Sequence, residues 1–138
     1  MAETIGFELI TPQKQLLKLD VEQVSMTGIE GDFTVLPNHT PFLTALKLGE
    51  LTYVVDGKET HVFVDWGFCE VLPHQVTVLA ETSELAIDID IEEARNKKMQ
   101  VEEVLQRAEY EDTIAFERAR VELIRQIMRI SIAEKYGR

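Results

Sequence analysis

Three side chains that can bind a metal ion occur at four-residue spacing in the middle of the chain. His61, Asp65 and Cys69 would lie on one face of an unbroken strand, because strand side chains alternate between two faces. Imidazole, carboxylate and thiolate are all zinc ligands. Gly67 falls between Asp65 and Cys69, however, and a glycine inside a strand often marks a break in the pleat. The spacing therefore predicts no metal site.

Sequence motifs of enzyme active sites are missing. The chain has no glycine-rich phosphate loop, no G-x-S-x-G nucleophile motif and no H-E-x-x-H zinc motif. We therefore predict a binding or structural role without catalytic residues.

A row of arginines near the C-terminus is the second group that could do chemistry. Arg118, Arg125 and Arg129 are spaced seven and four residues apart, which places them on one face of a helix. Such a row opposite an apolar stripe is usually the solvated side of the helix. A guanidinium also binds the carboxylates of an acidic protein or the phosphates of a nucleotide in a forked geometry. The spacing leaves all three interpretations open.

Two turn segments in the first third of the chain carry polar side chains that could contact a partner. Segment 28–32, GIEGD, carries Glu30 and Asp32 beside two glycines, which allow positive φ at little cost. Segment 37–41, PNHTP, carries His39 between two prolines, which exclude a central strand there. Taken alone, these side chains are solvated turn residues.

Composition limits the class of partner. The net charge is −11, which argues against nucleic-acid binding because that depends on lysine and arginine neutralising phosphates. No apolar run approaches the roughly 18 residues of a membrane-spanning helix, and the acidic start, MAETIGFELI, does not resemble a signal peptide. We therefore expect no membrane insertion. Cys69 is the single cysteine, so no disulfide forms within the chain.

The first part of the chain that must position these residues is predicted to be a series of short strands. Apolar residues alternate with period two from Phe7 to about Thr82, and Asp56-Gly57 is a dipeptide typical of a tight hairpin turn. Trp66 is expected to be core or partly buried. Eight or more strands without an intervening helix predict a mainly β sandwich or flattened barrel over residues 1–86.

After Ile87 the apolar period becomes helical. Asp90 and Glu93 form a capping-box pattern that predicts a helix from Ile91, and an acidic turn at 109–112 precedes a second helix that ends at Gly137. Residues 87–138 are thus predicted to form an antiparallel α-helical hairpin. The first helix has an apolar stripe with Lys97 and Lys98 outside it: Ala94, Val101, Leu105 and Ala108.

The second helix has more apolar surface than a hairpin needs. One stripe is expected to pack on the first helix: Phe116, Ala119, Leu123, Ile127 and Ile130. A neighbouring stripe must meet something else: Ile114, Val121, Ile124, Met128 and Ile132. It could dock on the sandwich, or bind another protein when the helix leaves the sandwich, and the two are compatible.

The order of motifs in residues 28–49 resembles the epsilon subunit of the bacterial F-type ATP synthase. That family has G-x-E-G, then P-x-H-x-P, then L-T-x-L. Here these read Gly28-Ile29-Glu30-Gly31, Pro37-Asn38-His39-Thr40-Pro41 and Leu43-Thr44-Ala45-Leu46. The family usually has glycine at Thr34 and a small residue at Trp66. The VTVLAET run ending at Thr82 and the two-helix tail extend the resemblance over the whole chain.

The resemblance implies a non-catalytic subunit of the central stalk, the rotor of a proton-transporting complex. In this family the sandwich binds the gamma subunit and the membrane ring of c subunits, which makes Glu30, Asp32 and His39 the candidate contacts. The hairpin either lies folded on the sandwich or extends toward the alpha and beta subunits and blocks ATP hydrolysis. This assigns the beta-subunit contact to the arginine row: Arg118, Arg125 and Arg129. The implied location is the cytoplasmic face of the bacterial plasma membrane, as a peripheral part of the complex.

Some members of this family bind ATP through I-D-x-x-R-A at the start of the first helix and two arginines on the second. The resemblance places that motif on segment 91–96, IEEARN, in which Glu92 replaces aspartate. A further family arginine falls at Glu102, and an acid beside a polyphosphate is unfavourable. We therefore expect at most weak regulatory ATP binding and no other cofactor. The candidate residues are Glu92, Arg95, Arg125 and Arg129.

The distribution of charge supports an alternative from a different class. Residues 1–86 carry four lysines and no arginine against thirteen acids, a net charge of −9, whereas all seven arginines lie in residues 87–138. A stand-alone β-sandwich module whose Arg-bearing hairpin recognises an acidic protein would have the same composition. Co-purification with a membrane ATPase distinguishes the two hypotheses.

Overall fold

Eight strands and two helices form the parts of the chain that the computed structural model describes, residues 3–107 and 113–138. The chain divides into two units, Met1–Leu85 and Ala86–Arg138. The strands are β1 (Ile5–Ile10), β2 (Gln15–Val21), β3 (Gln23–Gly28), β4 (Gly31–Val35), β5 (Phe42–Leu46), β6 (Gly49–Val55), β7 (Lys58–Leu72) and β8 (Gln75–Leu85). A 3₁₀ turn over Ala86–Asp88 opens the second unit, followed by α1 (Ile91–Arg107) and α2 (Thr113–Tyr136).

The strands form one sheet in the order β2-β1-β8-β7-β5-β3-β4, with β6 pairing to both β3 and β7. The fifteen-residue β7 organises the unit, because β8 runs along one side of it while β6 and β5 share the other side. The β1–β8 pair is parallel and the other pairs are antiparallel. The predicted class, a mainly β sandwich followed by two helices, is confirmed.

One apolar core fills the sandwich. All eight strands contribute buried side chains to it. The fully buried ones include Phe7, Leu9, Val24, Val35, Leu46, Leu51, Val62, Cys69, Val71 and Val78. Burying a side chain of this size contributes roughly 1.5–3 kcal/mol relative to leaving it exposed. Burial of every second side chain in this core therefore accounts for the period-two alternation of apolar residues in the sequence.

The alternation of β7 changes phase in the middle of the strand. Val62 and Val64 face the core before the change, and Cys69 and Val71 face it afterwards. Between them Trp66 has a φ of 46°, whereas the pairing with β8 keeps one register throughout. The predicted interruption near Gly67 thus occurs inside one continuous strand.

Two turns differ in how well the sequence predicted them. The Asp56-Gly57 hairpin is confirmed, because φ is 51° and 75° at these residues, as a primed two-residue turn requires, and the flanking residues pair. The turn at Glu22 between β2 and β3 was not predicted, and there the Glu22 N–H donates to the carbonyl of Val54 at 2.7 Å.

The first helix begins as predicted. The Asp90 carboxylate accepts a hydrogen bond from the Glu93 backbone N–H at 3.0 Å, which is an N-cap. Lys98 lies with Ala94, Val101 and Leu105 on the half-buried side of α1, so the expectation that it lies outside the stripe was wrong. Ala108 and the acidic turn at 109–112 lie outside the described residues.

The second helix ends where predicted, with the Gly137 N–H donating to the carbonyl of Ala133 at 2.8 Å. Arg95 near the start of α1 pairs with Glu134 near the end of α2, so the helices are antiparallel. The most buried residues of α2 are Gln126, Arg129, Ile132 and Ala133, and of these Ile132 alone belongs to a predicted stripe. Ile127 and Ile114, which were assigned to the two apolar stripes, are 48% and 68% exposed.

Candidate functional site

The acidic turn lies at the tip of the β3–β4 hairpin. Gly28 pairs with Gly31, whose φ of 129° explains the glycine there, and both Glu30 and Asp32 are exposed. The Ile29 N–H donates to the carbonyl of Ala45 at 3.1 Å, which ties the turn to β5. The two carboxylates are therefore presented to solvent by a fixed backbone.

The His39 corner lies at the other end of β4. Asn38 has a φ of 65°, and its N–H donates to the carbonyl of Pro73 at 3.0 Å, so the β7–β8 turn holds the corner. His39 Nδ1 donates to the Thr40 carbonyl at 2.6 Å. The five residues of β4 extend about 3.3 Å each, so roughly 15 Å separates this corner from the acidic turn. The structure does not bring Glu30 and His39 together.

An exposed apolar surface on the sandwich was not predicted. We define the apolar patch as Leu43, Trp66, Phe68, Leu72 and Leu79, which are 44–69% exposed. Trp66, expected to be core or partly buried, is 48% exposed. The only sequence signal was that apolar residues occupy consecutive positions in β7 and β8. The sequence does not show the phase change at Trp66, so consecutive apolar residues do not reveal which side chains of β7 face solvent.

Trp66 has strained backbone geometry. A positive φ is rare for a bulky residue and costs on the order of 1–3 kcal/mol. The neighbouring Gly67 cannot carry a side chain, because a Cβ there would lie 2.0 Å from the carbonyl oxygen of Leu79. The close contact of β7 with β8 therefore holds Trp66 in this conformation and directs its ring to the outer face.

The three residues with metal-binding chemistry do not converge. His61 Nδ1 lies 3.1 Å from the Glu50 carboxylate, and Asp65 accepts a hydrogen bond from the Thr82 hydroxyl at 3.2 Å. Cys69 lies on the opposite face, in the core, where burial raises the pKa of its thiol to about 12. Within the described residues, no three His, Cys, Asp or Glu side chains are grouped as a metal site.

The arginine row runs from solvent into a buried polar network. Arg118 is exposed, but Arg129 is only 6% exposed and Arg125 is half-buried, so the interpretation of the row as a solvated face does not hold for these two. Arg129 Nη1 donates to Gln126 Oε1 at 2.8 Å and lies 3.6 Å from Glu93 Oε1.

The same network continues along α2 and into α1. Gln126 donates to Glu122 at 2.6 Å, and Glu122 also pairs with Arg125. Glu93 pairs with Lys97 at 3.0 Å, and that hydrogen bond, with the charges of Lys97 and Arg129, lowers the pKa of the Glu93 carboxyl. Internal carboxylates therefore already bind two of the three arginines.

The residues expected to bind ATP are divided between the two flanks of the hairpin. Arg95 pairs with Glu92 at 2.9 Å and with Glu134 at 3.3 Å. Glu93, the α1 partner of Arg129, lies two residues from Arg95, which is about 200° around the helix. Arg95 and Arg129 thus face different sides of the helix pair, and a single triphosphate between them would first have to displace the carboxylates.

Comparison with known proteins shows which family has this architecture. The family model described as "ATP synthase, Delta/Epsilon chain, beta-sandwich domain" matches residues 4–86. The ATP synthase epsilon chain of Geotalea daltonii is 44% identical over 138 residues, covering 100% of this chain and 99% of that protein. The chain belongs to the family of ATP synthase epsilon chains. The epsilon chain of Nitratidesulfovibrio vulgaris is 43% identical over 132 residues, 96% of this chain and 97% of that protein.

Solved structures show the same fold. A chain of the Euglena gracilis mitochondrial ATP synthase (OSCP/F1/c-ring) superposes with a TM-score of 0.78 at 19% identity, covering 96% of this chain and 82% of that one. A chain from the Tetrahymena thermophila mitochondrial ATP synthase central stalk/c-ring gives 0.61 at 15% identity, with coverage of 96% and 98%. As an epsilon chain, this protein is a non-catalytic ATP synthase subunit. Neither helix of the described chain is long and apolar enough to cross a bilayer.

Proposed function

We propose that this epsilon chain is a rotor subunit of the central stalk, coupling the catalytic head to the proton-translocating c ring at the cytoplasmic face of a bacterial plasma membrane. The observation that carries the proposal is the similarity to bacterial epsilon chains, which covers the helical unit as well as the sandwich. The Tetrahymena protein with the same fold comes from a central stalk/c-ring structure, which supports the assignment.

We assign the contacts with gamma and the c ring to the sandwich. Glu30 and Asp32 at one end of β4 and His39 at the other present polar groups on backbone that is hydrogen-bonded to neighbouring strands. A rigid support suits contacts that must persist under torque. The separation of roughly 15 Å along β4 allows the two ends to contact different subunits.

We assign inhibition of ATP hydrolysis to the helical hairpin. Arg118 is exposed and available to an acidic segment of the beta subunit, with no ion pair among the described residues. Arg125 and Arg129 would reach such a segment only by exchanging Glu122 and Glu93 for carboxylates of the partner. A carboxylate of the partner would then replace an internal carboxylate beside each guanidinium.

Truncation after residue 86 tests this division of work. The 1–86 variant and the full chain are added to ATP synthase depleted of its epsilon subunit, and binding, proton-coupled synthesis and ATP hydrolysis are measured. We expect both to bind and support synthesis, and the truncated chain to permit faster hydrolysis. Circular dichroism of the isolated 1–86 variant checks its folding.

Three outcomes would contradict parts of the proposal. Unchanged hydrolysis with the truncated chain would remove the inhibitory role from the hairpin. A folded full chain that does not bind the depleted complex would overturn the stalk assignment and favour the stand-alone module recognising another acidic protein. A truncated chain that does not fold would show that the helical unit is needed for stability.

A further inference from the structure

The chain contains a single Asp-Gly dipeptide, and it lies at an exposed turn. Asp56 and Gly57 connect β6 to β7, and both residues are exposed. Among Asp-X dipeptides, Asp-Gly closes a succinimide ring most readily, because glycine has no side chain to hinder the approach of its nitrogen to the aspartate carboxyl group. A Cβ built on Gly57 would meet no atom within 4 Å, so the space beside this residue is open. Asp56 is therefore the aspartate of this chain at which ring closure is sterically easiest.

A carboxylate from another turn holds the nitrogen that would attack. The Gly57 N–H donates to Glu22 Oε1 at 3.2 Å, and the Glu22 N–H donates to the carbonyl of Val54 at 2.7 Å. Both turn residues have positive φ, 51° at Asp56 and 75° at Gly57, as the primed turn requires. Glu22, between β2 and β3, thus fixes the Gly57 peptide with its side chain and the end of β6 with its backbone.

The reaction open to this turn needs no group other than water. The Gly57 nitrogen attacks Cγ of Asp56, the N–Cγ bond forms, and the carboxyl oxygen leaves as water with the proton of the nitrogen. Water then adds to one of the two ring carbonyls. Opening at the side-chain carbonyl restores aspartate, whereas opening at the backbone carbonyl leaves the peptide link on the side chain, which is isoaspartate.

The Glu22 carboxylate opposes the first step of this reaction. The Gly57 nitrogen must lose its proton and turn toward Cγ of Asp56 before the ring can close. A negative charge that accepts the N–H disfavours an anionic nitrogen beside it, and the charge-assisted hydrogen bond holds the peptide plane in place. Opening of the Glu22–Gly57 contact is therefore required before attack.

We propose that Asp56 is a site of succinimide and isoaspartate formation and that the Glu22 carboxylate limits its rate. Isoaspartate adds one carbon atom to the backbone between β6 and β7. The pair formed by Val55 and Lys58 then no longer fits a two-residue turn, so the modification weakens the end of the β6–β7 hairpin.

The turn is remote from the acidic turn assigned to rotor contacts. At one end of β3, Gln23 pairs with Val54 close to the Asp56 turn, and at the other end Gly28 pairs with Gly31. The six residues of β3 span roughly 20 Å. The reaction at Asp56 is therefore independent of the stalk assignment and can be measured on the isolated full chain.

Incubation of the full chain in heavy-oxygen water tests the site. Each passage through the succinimide places one solvent oxygen in the Asp56 carboxyl group, which raises the mass of the peptide that contains it. Digestion with trypsin in ordinary water then releases residues 48–58, in which Asp56 is the only aspartate and asparagine is absent. Chromatography separates the isoaspartyl form of this peptide from the aspartyl form. A synthetic 48–58 peptide gives the rate without the fold.

Substitutions at Glu22 test its role. We expect the wild-type chain to react more slowly than the free peptide, and Glu22→Ala to react about two- to fivefold faster than the wild type, as loss of one exposed contact with a charged group predicts. Glu22→Gln keeps an acceptor oxygen without the charge and should react at an intermediate rate. Asp20→Ala removes an exposed acid of β2 and leaves Glu22 in place, so it should react like the wild type. Thermal unfolding shows that each variant remains folded, and Glu22→Gln carries the test if Glu22→Ala does not fold.

Three results would overturn the inference. Equal rates in the wild type and both folded Glu22 variants would show that Glu22 does not limit the reaction. A slower reaction without the carboxylate would show that Glu22 acts as a base that promotes attack. No labelling of residues 48–58 in any folded chain, under conditions in which the free peptide is labelled, would show that the fold excludes Asp56 as a modification site.

Discussion

At the scale of single residues, the arginine row shows how position along a helix changes the role of one residue type. Arg118, Arg125 and Arg129 share a face, yet Arg118 is exposed while Arg129 is buried and bound to Gln126. A buried guanidinium needs hydrogen-bonding partners, because an unpaired buried charge is costly. Arg129 is therefore expected to stabilise the hairpin, and Arg118 to remain available for a partner.

Replacing these two arginines by methionine tests that difference. Arg129→Met removes a charge-assisted hydrogen bond and leaves Gln126 Oε1 without this donor, so we expect a loss of about 1.5–3 kcal/mol in the free energy of unfolding. Arg118→Met should change it by less than about 0.5 kcal/mol, as is usual at exposed sites. Urea unfolding followed by the helical circular dichroism signal measures both, and equal effects would contradict the assignment.

At the scale of elements, the helix pair contains its own anionic ligands for its arginines. Glu92 and Glu134 bind Arg95 on one flank, and Glu93 and Glu122 bind Arg129 and Arg125 elsewhere. A nucleotide would have to compete with these carboxylates and approach arginines on different flanks. Arg95, Arg125 and Arg129 are thus already paired with carboxylates without a bound phosphate.

This arrangement predicts the result of titrating the isolated full chain with ATP. We expect no binding detectable by calorimetry at millimolar ATP, because the arginines are already paired and Glu102 adds a like charge. Glu92→Gln with Glu134→Gln removes the two carboxylate charges that pair with Arg95 and should raise the affinity for ATP. Binding by the wild type that is lost in Arg95→Ala but kept in Arg118→Ala would show a nucleotide site and contradict our expectation.

At the scale of the whole molecule, two units carry separate surfaces. The sandwich presents polar groups at both ends of β4 and the apolar patch on its outer sheet face, and the hairpin presents Arg118. We expect the polar ends of β4 to contact the c ring or gamma, not the alpha or beta subunits.

Cysteine cross-linking in the assembled complex tests that orientation. Cysteines introduced at Glu30, Asp32 and His39 should cross-link to polar loops of the c subunit or to gamma. The native Cys69 is fully buried, and its raised thiol pKa keeps it unreactive, so it does not interfere. A cysteine at Asp20 on β2 is the exposed control. Cross-links from all three sites to alpha or beta alone would show that the orientation is wrong.

The sequence by itself determined the features that depend on local chemistry. Period-two alternation, the Asp56-Gly57 turn, the Asp90 cap and the Gly137 helix end were all predictable, because each follows from steric and hydrogen-bonding preferences of a few adjacent residues. The motifs between Gly28 and Leu46 indicated the family for the same reason, since their turns need particular residue types.

Only the tertiary structure decided which side chains face solvent in elements that have apolar residues on more than one side. The phase change at Trp66 depends on the close approach of Gly67 to β8, a contact between residues distant in sequence, and it exposes Phe68. Likewise, α2 has three sides that could be buried, and periodicity cannot rank them. The guanidinium of Arg129 pairs with Glu93 of α1 and donates a hydrogen bond to Gln126. A polar side of α2 can therefore be the most buried one, because a polar group can be buried where hydrogen-bonding partners are available.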